Sequence, residues 1–273
     1  MAKKALNEMS FLDHLEELRW LLVRSSAAIV IMGIVSYFFA DYIFSDLIFG
    51  PTDPSFITYR FFCEASHYLG FADSICITEL NFIIQNTQME GQVNIFVWVC
   101  ITAGFILAFP YILWELWKFI SPALYEKEKK NAKLFIFVAS ILFFFGVLFG
   151  YFVIVPMSLN FLATFSISSF VKNQFSIDSY VSMVKTAVIA CGLYFELPII
   201  IYFLTKLGLV GPNFLRKYRK YAVVIVLIIA AIVTPPDVVS QITVAVPMMI
   251  IYEGCIWISA VVEKNKKKDE QTS

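Results

Sequence analysis

The stretch Tyr221-AVVIVLIIAAIVTPPDVVSQITVAVPMMIIYEGCI-Trp257 is apolar for almost all of its 37 residues. Crossing about 30 Å of hydrocarbon takes roughly 20 residues of helix, so this run is too long for one span. Thr234-Pro235-Pro236-Asp237 interrupts it. Two adjacent prolines remove two N–H donors and restrict the residues before them, which predicts a sharp turn between two helices. The piece before the turn, Tyr221 to Val233, has 13 residues, or about 20 Å at 1.5 Å per residue. It is short for an ordinary bilayer, so either flanking residues extend it or the membrane thins beside it. Pro247 lies in the piece after the turn and is expected to bend it.

Four further apolar runs lie upstream: Leu21 to Phe44, Val93 to Trp117, Leu134 to Pro156 and Val181 to Leu204. Each has a spanning length, which predicts six spans in all. The lysines and arginines give their direction. Lys3, Lys4, Arg19 and Arg24 precede or open the first span, and Lys118 to Lys133 separate the second and third. Lys206 to Lys220 separate the fourth and fifth, and Lys264 to Lys268 follow the sixth. Of 21 cationic side chains, 18 fall on one face, leaving Arg60, Lys172 and Lys185. Positive loops stay inside, so both termini are expected in the cytoplasm. Residues 1–20 are polar and the first apolar run has no cleavage-like end, so no removable signal peptide is expected.

The composition agrees with this reading. Of 273 residues, 59% are hydrophobic and 15% charged, whereas soluble domains carry about 25% charged residues. Disordered and collagen-like chains are excluded, as is a conventional cytosolic enzyme. Lys+Arg and Asp+Glu both number 21, so nothing in the net charge favours nucleic acid. The expected organisation is a cytoplasmic interfacial helix over 1–20, a membrane domain over 21–258 and a charged cytoplasmic tail over 259–273. Within the membrane domain lie a non-cytoplasmic cap (45–92) and cytoplasmic loops (118–133 and 206–220). Aromatic residues through the cap predict short ordered helices there. Cys63 and Cys76 both fall in it, on the oxidising side, and form a candidate disulfide. Cys100, Cys191 and Cys255 fall in spans and read as small buried hydrophobes. No histidine and cysteine grouping has metal-ligand spacing, and no cofactor is expected.

Few polar groups need a functional explanation. In Ser10-Phe11-Leu12-Asp13-His14-Leu15-Glu16-Glu17-Leu18-Arg19, apolar residues recur at helical spacing beside three acids. The segment reads either as a helix lying on the membrane or as a recognition surface. Glu126 and Glu128 in the second cytoplasmic loop are candidates to join Glu16 and Glu17 in an acidic site. Paired carboxylates suit the planar fork of a guanidinium. Glu196 lies deep in the fourth span and Glu253 in the sixth, while Glu115 is nearer an end. A carboxylate in lipid usually faces a polar cavity or a partner; for Glu196 a structural hydrogen bond is the competing reading. Gln241 opens the sixth span, and Asp237 before it is positioned to cap it.

At these residues the chain resembles the TatC family, the multispanning receptor component of the twin-arginine protein translocase. The landmarks are Phe11 to Arg19, Phe109-Pro110 through Phe119, Ser121 to Glu128, and Phe144 to Pro156. They continue with Phe195-Glu196-Leu197-Pro198, Thr234 to Gln241 and Tyr252-Glu253. They occur in family order across about residues 9–258. The resemblance implies an all-α polytopic protein of the bacterial cytoplasmic membrane. Its six transmembrane helices form a glove-like concave bundle, with helices five and six short.

The implied function is a non-enzymatic receptor for twin-arginine signal peptides and the core of a translocase. Driven by the proton-motive force, it exports folded cargo proteins. Carried over by position, Glu17 and Glu128 bind the signal peptide, with Arg19, Phe119 and Tyr125 shaping the site. Glu16 and Glu126 are flanking candidates. Glu196 looks like the carboxylate of the concave face, approached by single-span TatA/TatB-like subunits and the signal's hydrophobic region. Gln241 and Asp237 resemble outer polar residues linked to translocation, and self-association is implied. Two departures stand out: the first non-cytoplasmic loop is longer and carries the two cysteines, and Glu115 occupies a position that is often neutral in relatives. It is a candidate partner contact.

A small-molecule or ion transporter using Glu196, Lys185 and Glu253 is the alternative. It lacks the expected internal repeats and leaves the ordered landmarks unexplained. A membrane enzyme lacks any nucleophile–base pair or nucleotide loop.

Overall fold

The computed structural model describes residues 11–68, 82–121, 132–166, 168, 173–234 and 238–272. The protein is a polytopic, almost wholly helical membrane protein. Five of its described helical segments are long and apolar enough to cross a membrane. The described chain divides into two compact units.

The first unit takes Met1–Phe44 and Gln92–Leu142. Its main helices are α1 (Phe11–Phe38) and α3 (Gly91–Ile120), the latter beginning one residue before the unit boundary. The segment expected as an interfacial helix enters the described region at Phe11 as the opening turns of α1, with no break at residue 20. No glycine or proline lies between Phe11 and Met32 to interrupt it. The α1–α3 packing depends on absent side chains. A Cβ on Gly104 would lie 2.6 Å from both Gly33 N and Ile29 O. The two backbones touch there, the close approach that small residues permit between membrane helices.

The second unit takes Ser45–Gly91 and Phe143–Ser273. It holds α2 (Ile57–Tyr68), part of α4 (Ala132–Phe149), α5 (Val155–Thr164) and α6 (Ile177–Tyr194). They are followed by α7 (Leu197–Lys206), α8 (Pro212–Lys217), α9 (Arg219–Val233) and α10 (Val238–Thr272). A widened π-helical turn at Gly150–Ile154 joins α4 to α5, directly before Pro156. Gly146 and Gly150, one turn apart, receive the α6 backbone: added Cβ atoms would lie 2.5 Å from Cys191 O and 2.8 Å from Ala187 O. Pro198 sits in the first turn of α7, so the fourth span is two helices meeting at Phe195-Glu196.

Within residues 45–92, α2 is a short helix of the kind expected there, and the segment also contributes one strand of a pair. Ile83–Gln85 pairs in parallel with Gln174–Ser176, in the register Ile83 to Gln174 and Gln85 to Ser176. Three-residue strands give too little alternation to be read from sequence. Three tyrosines hold the chain between the first span and α2. Tyr151 donates to Leu47 O (2.7 Å), Tyr59 to Pro51 O (2.9 Å), and buried Tyr180 to Ile48 O. Burial pushes the Tyr59 phenol up, so it remains a donor. Tyr180→Phe leaves the Ile48 carbonyl without that partner and should cost about 1–3 kcal/mol. Denaturant unfolding in detergent measures it, and an unchanged midpoint would contradict the assignment.

Cys63 is disulfide-bonded, whereas Cys100, Cys191 and Cys255 are free and buried. Cys76, its expected partner, lies outside the described residues.

Helix α9 is short, as expected, but starts two residues earlier than the apolar run, at Arg219. Its 15 residues rise about 23 Å. The expectation that helix six is also short needs correcting. Helix α10 has 35 residues, and its span-like stretch runs from Gln241 to Lys266. Glu263 to Lys268 favour helix and contain no breaker, so the polar tail continues the same helix. Pro247 lies inside α10 without ending it.

Candidate functional site

Glu17, Trp20, Leu21 and Arg24 recur at helical spacing and therefore share one face of α1. Glu115, Lys118 and Phe119 share one face of α3 for the same reason. The two stripes line a single pocket of about 270 Å³ in the first unit. Glu115 is the buried floor group, only 4% exposed. Its Oε1 accepts from Lys118 Nζ at 2.6 Å, and its Oε2 from Arg24 Nη1 at 3.3 Å. Burying a carboxylate without compensation is costly, and these two cations supply the compensation. Phe119 stacks on His14, with ring centroids 4.4 Å apart and 25° between planes. The guanidiniums of Arg19 and Arg24 lie 5.6 and 6.0 Å from the Trp20 ring centroid, within cation–π range. The pocket thus combines an exposed carboxylate, aromatic surface and a buried carboxylate already paired with cations. It can receive a cationic, planar group.

Of the residues expected from sequence, Glu17 and Phe119 line this pocket, as does Glu115, expected as a partner contact; Glu16 and Arg19 are exposed on α1 and do not. Tyr125, Glu126 and Glu128 lie outside the described residues, as does Asp237. The sequence reading did not include Trp20, Arg24, Lys118 or His14 in the site. For Trp20 and Arg24, their i+3 and i+7 spacing from Glu17 is the available signal.

The remaining candidates lie in the second unit. Glu196 is buried at 6% exposure, and its Oε1 has no hydrogen-bond partner among the described residues. Glu253 is not isolated: it pairs with Arg219 at the start of α9, with a shortest separation of 2.7 Å. Gln241 donates from Nε2 to Leu227 O at 3.0 Å, tying α10 to α9. A second cavity of about 630 Å³ is lined by parts of α5, α6 and the end of α9, with Asp178 and Thr234 among its polar groups. Among the described residues, no group of three or more His, Cys, Asp and Glu is arranged to hold a metal.

Comparison with known proteins places this geometry in context. The family model for TatC, described as Sec-independent protein translocase protein, matches residues 13–247. A Sec-independent protein translocase protein TatC from Blattabacterium sp. subsp. Periplaneta americana is 45% identical over 269 residues, covering 97% of this chain and 100% of the relative. TatCy of Bacillus subtilis is 33% identical, covering 98% and 95% respectively. A crystal structure of the twin arginine translocase receptor TatC in DDM superposes with a TM-score of 0.73 at 32% identity. The match covers 90% of this chain and 99% of that one.

Proposed function

Because the chain belongs to the TatC family of Sec-independent protein translocase proteins, we propose that it is the receptor for twin-arginine signal peptides. It is also the multispanning core of a translocase for folded proteins. The observation that carries this reading is the pocket that brings Glu17 and Phe119, about a hundred positions apart, onto one surface. Glu17 offers a guanidinium two acceptor oxygens. The Phe119–His14 stack offers a flat flank, and Arg19 borders the site. The reading also assigns Glu128 the role of a second carboxylate, with Tyr125 and Glu126 as further candidates; all three lie outside the described residues. Recognition is by binding, not catalysis.

The same reading assigns six crossings, with α9 as the short one, and both termini to the cytoplasmic side of a bacterial cytoplasmic membrane. Residues 1–20, 21–258 and 259–273 serve as receptor segment, membrane domain and tail. Glu196, with its spare acceptor atom, takes a donor from a single-span TatA/TatB-like subunit or from the signal segment; Gln241 and Asp237 serve the opposite end. The proton-motive force drives transport. One elementary charge crossing 100 mV is worth about 2.3 kcal/mol, so movement of a folded protein draws on many charges and on assembly with further copies.

The test is binding of a twin-arginine signal peptide, against its twin-lysine counterpart, to purified protein in nanodiscs. Arginine peptide should bind preferentially, and Glu17→Ala or Glu128→Ala should weaken it about tenfold or more. Equal binding of the two peptides to folded protein would refute the receptor assignment.

A further inference from the structure

The pocket that receives the signal peptide already contains an arginine of its own. We propose that Glu115 is an additional guanidinium acceptor of this pocket, capped in the free protein by Arg24. An arginine of the arriving peptide displaces Arg24. The inference rests on the receptor reading above and concerns how that same pocket opens.

The two cations on Glu115 are held differently. Lys118 lies one turn along the same helix and contacts Oε1 at 2.6 Å. Arg24 comes from α1 and reaches Oε2 with one nitrogen at 3.3 Å. A guanidinium holds a carboxylate best through two parallel N–H bonds of about 2.7–2.9 Å. Arg24 therefore uses one corner of its fork, at a separation longer than that range. Its side chain is 53% exposed, and its guanidinium already lies 6.0 Å from the Trp20 ring centroid. Leaving Glu115 thus returns it to water and an aromatic face.

Glu115 is not stranded by the exchange, because Lys118 stays on Oε1. An entering guanidinium that offers two N–H groups gains what Arg24 does not use. A lysine ammonium brings a point charge without the fork and has less advantage over the resident arginine. Arg24 is then a built-in competitor that sets the threshold for entry.

The experiment is a double-mutant cycle on the intact protein in nanodiscs, read as the Kd for a twin-arginine signal peptide. Arg24→Gln should tighten binding about fivefold, by removing an exposed-pair competitor. Glu115→Gln should weaken it about tenfold. In the Glu115→Gln background, Arg24→Gln should have no effect. An Arg24→Gln effect of equal size in both backgrounds would mean general charge repulsion and overturn the proposal. So would wild-type affinity in a folded Glu115→Gln protein, which would leave the pair purely structural. Should Glu115→Gln fail to fold, Glu115→Asp, with its shorter reach, replaces it under the same criteria. Failure of the wild type to prefer arginine over lysine sinks the receptor reading itself. A preserved preference with Arg24→Gln unchanged sinks only this inference.

Discussion

Gly104→Leu is expected to abolish the α1–α3 pairing, and with it both the folded first unit and peptide binding. The cause is backbone contact, so no side-chain rotation relieves it. A Cβ at this position already meets Gly33 N and Ile29 O at 2.6 Å and Gly33 Cα at 2.8 Å. Alanine alone must push the helices apart, at about 1–3 kcal/mol by the usual scale of overpacking. Leucine adds a branched side chain in the same place, and effects above about 4–5 kcal/mol follow from such backbone collisions. The contact also sets the pocket. Arg24 lies nine residues before Gly33, and Glu115 eleven after Gly104, about 14–17 Å along the helices. Spreading at the contact therefore separates Arg24 from Glu115. Thermal unfolding in detergent and peptide affinity should fall together for Gly104→Ala. A Gly104→Leu protein that melts and binds like wild type would show that the close approach does not exist.

Insertion of four leucines between Ala222 and Val223 should block export while leaving signal-peptide binding unchanged. Helix α9 has 15 residues, and one added turn brings it from about 23 to about 29 Å, close to an ordinary hydrocarbon thickness. On the proposed function, the short helix thins the adjoining bilayer and lowers its resistance to cargo. The insertion point preserves the register of Leu227 with Gln241, but it displaces Arg219 from Glu253. Arg219→Ala in the unlengthened chain therefore serves as the control for that pair. Export should drop about tenfold or more with the insertion and stay near normal in the control. Normal export by the lengthened protein would remove thinning from the mechanism.

The apolar runs were legible because lipid demands continuous hydrophobic length, and that requirement acts locally in sequence. Their ends were not. Helix α1 begins by Phe11, since hydrogen bonding continues along a polar helix beyond the bilayer; α10 runs past Glu263 for the same reason. The strand pair was invisible because each strand has three residues and its partner lies 91 positions away. In the site, Glu17 is legible as one of the clustered acids of the N-terminal segment, whereas Phe119 is legible only through its place in family landmarks. Arg24 was read only as a topological charge, yet it is the contact from α1 to Glu115. Sequence spacing shows which residues share a helix face; it does not show which two faces meet. Glu115 was singled out as a candidate for an external partner, and the structure supplies internal ones.

The strand pair between Ile83–Gln85 and Gln174–Ser176 also orders events in time. A ribosome makes the chain from its N-terminus, at about 5–20 residues per second. The first unit is complete once Leu142 has been made. The cap segment is made earlier than the second half of that unit, yet its strand partner appears 91 residues after Ile83. It therefore waits on the order of 5–20 s for its template. The tyrosines that grip its entry, Tyr151 and Tyr180, are also late products. Birth order and pairing order thus run opposite: Ile83–Gln85 is made before the second segment of the first unit, yet its strand partner, Gln174–Ser176, is made only after that unit's last residue.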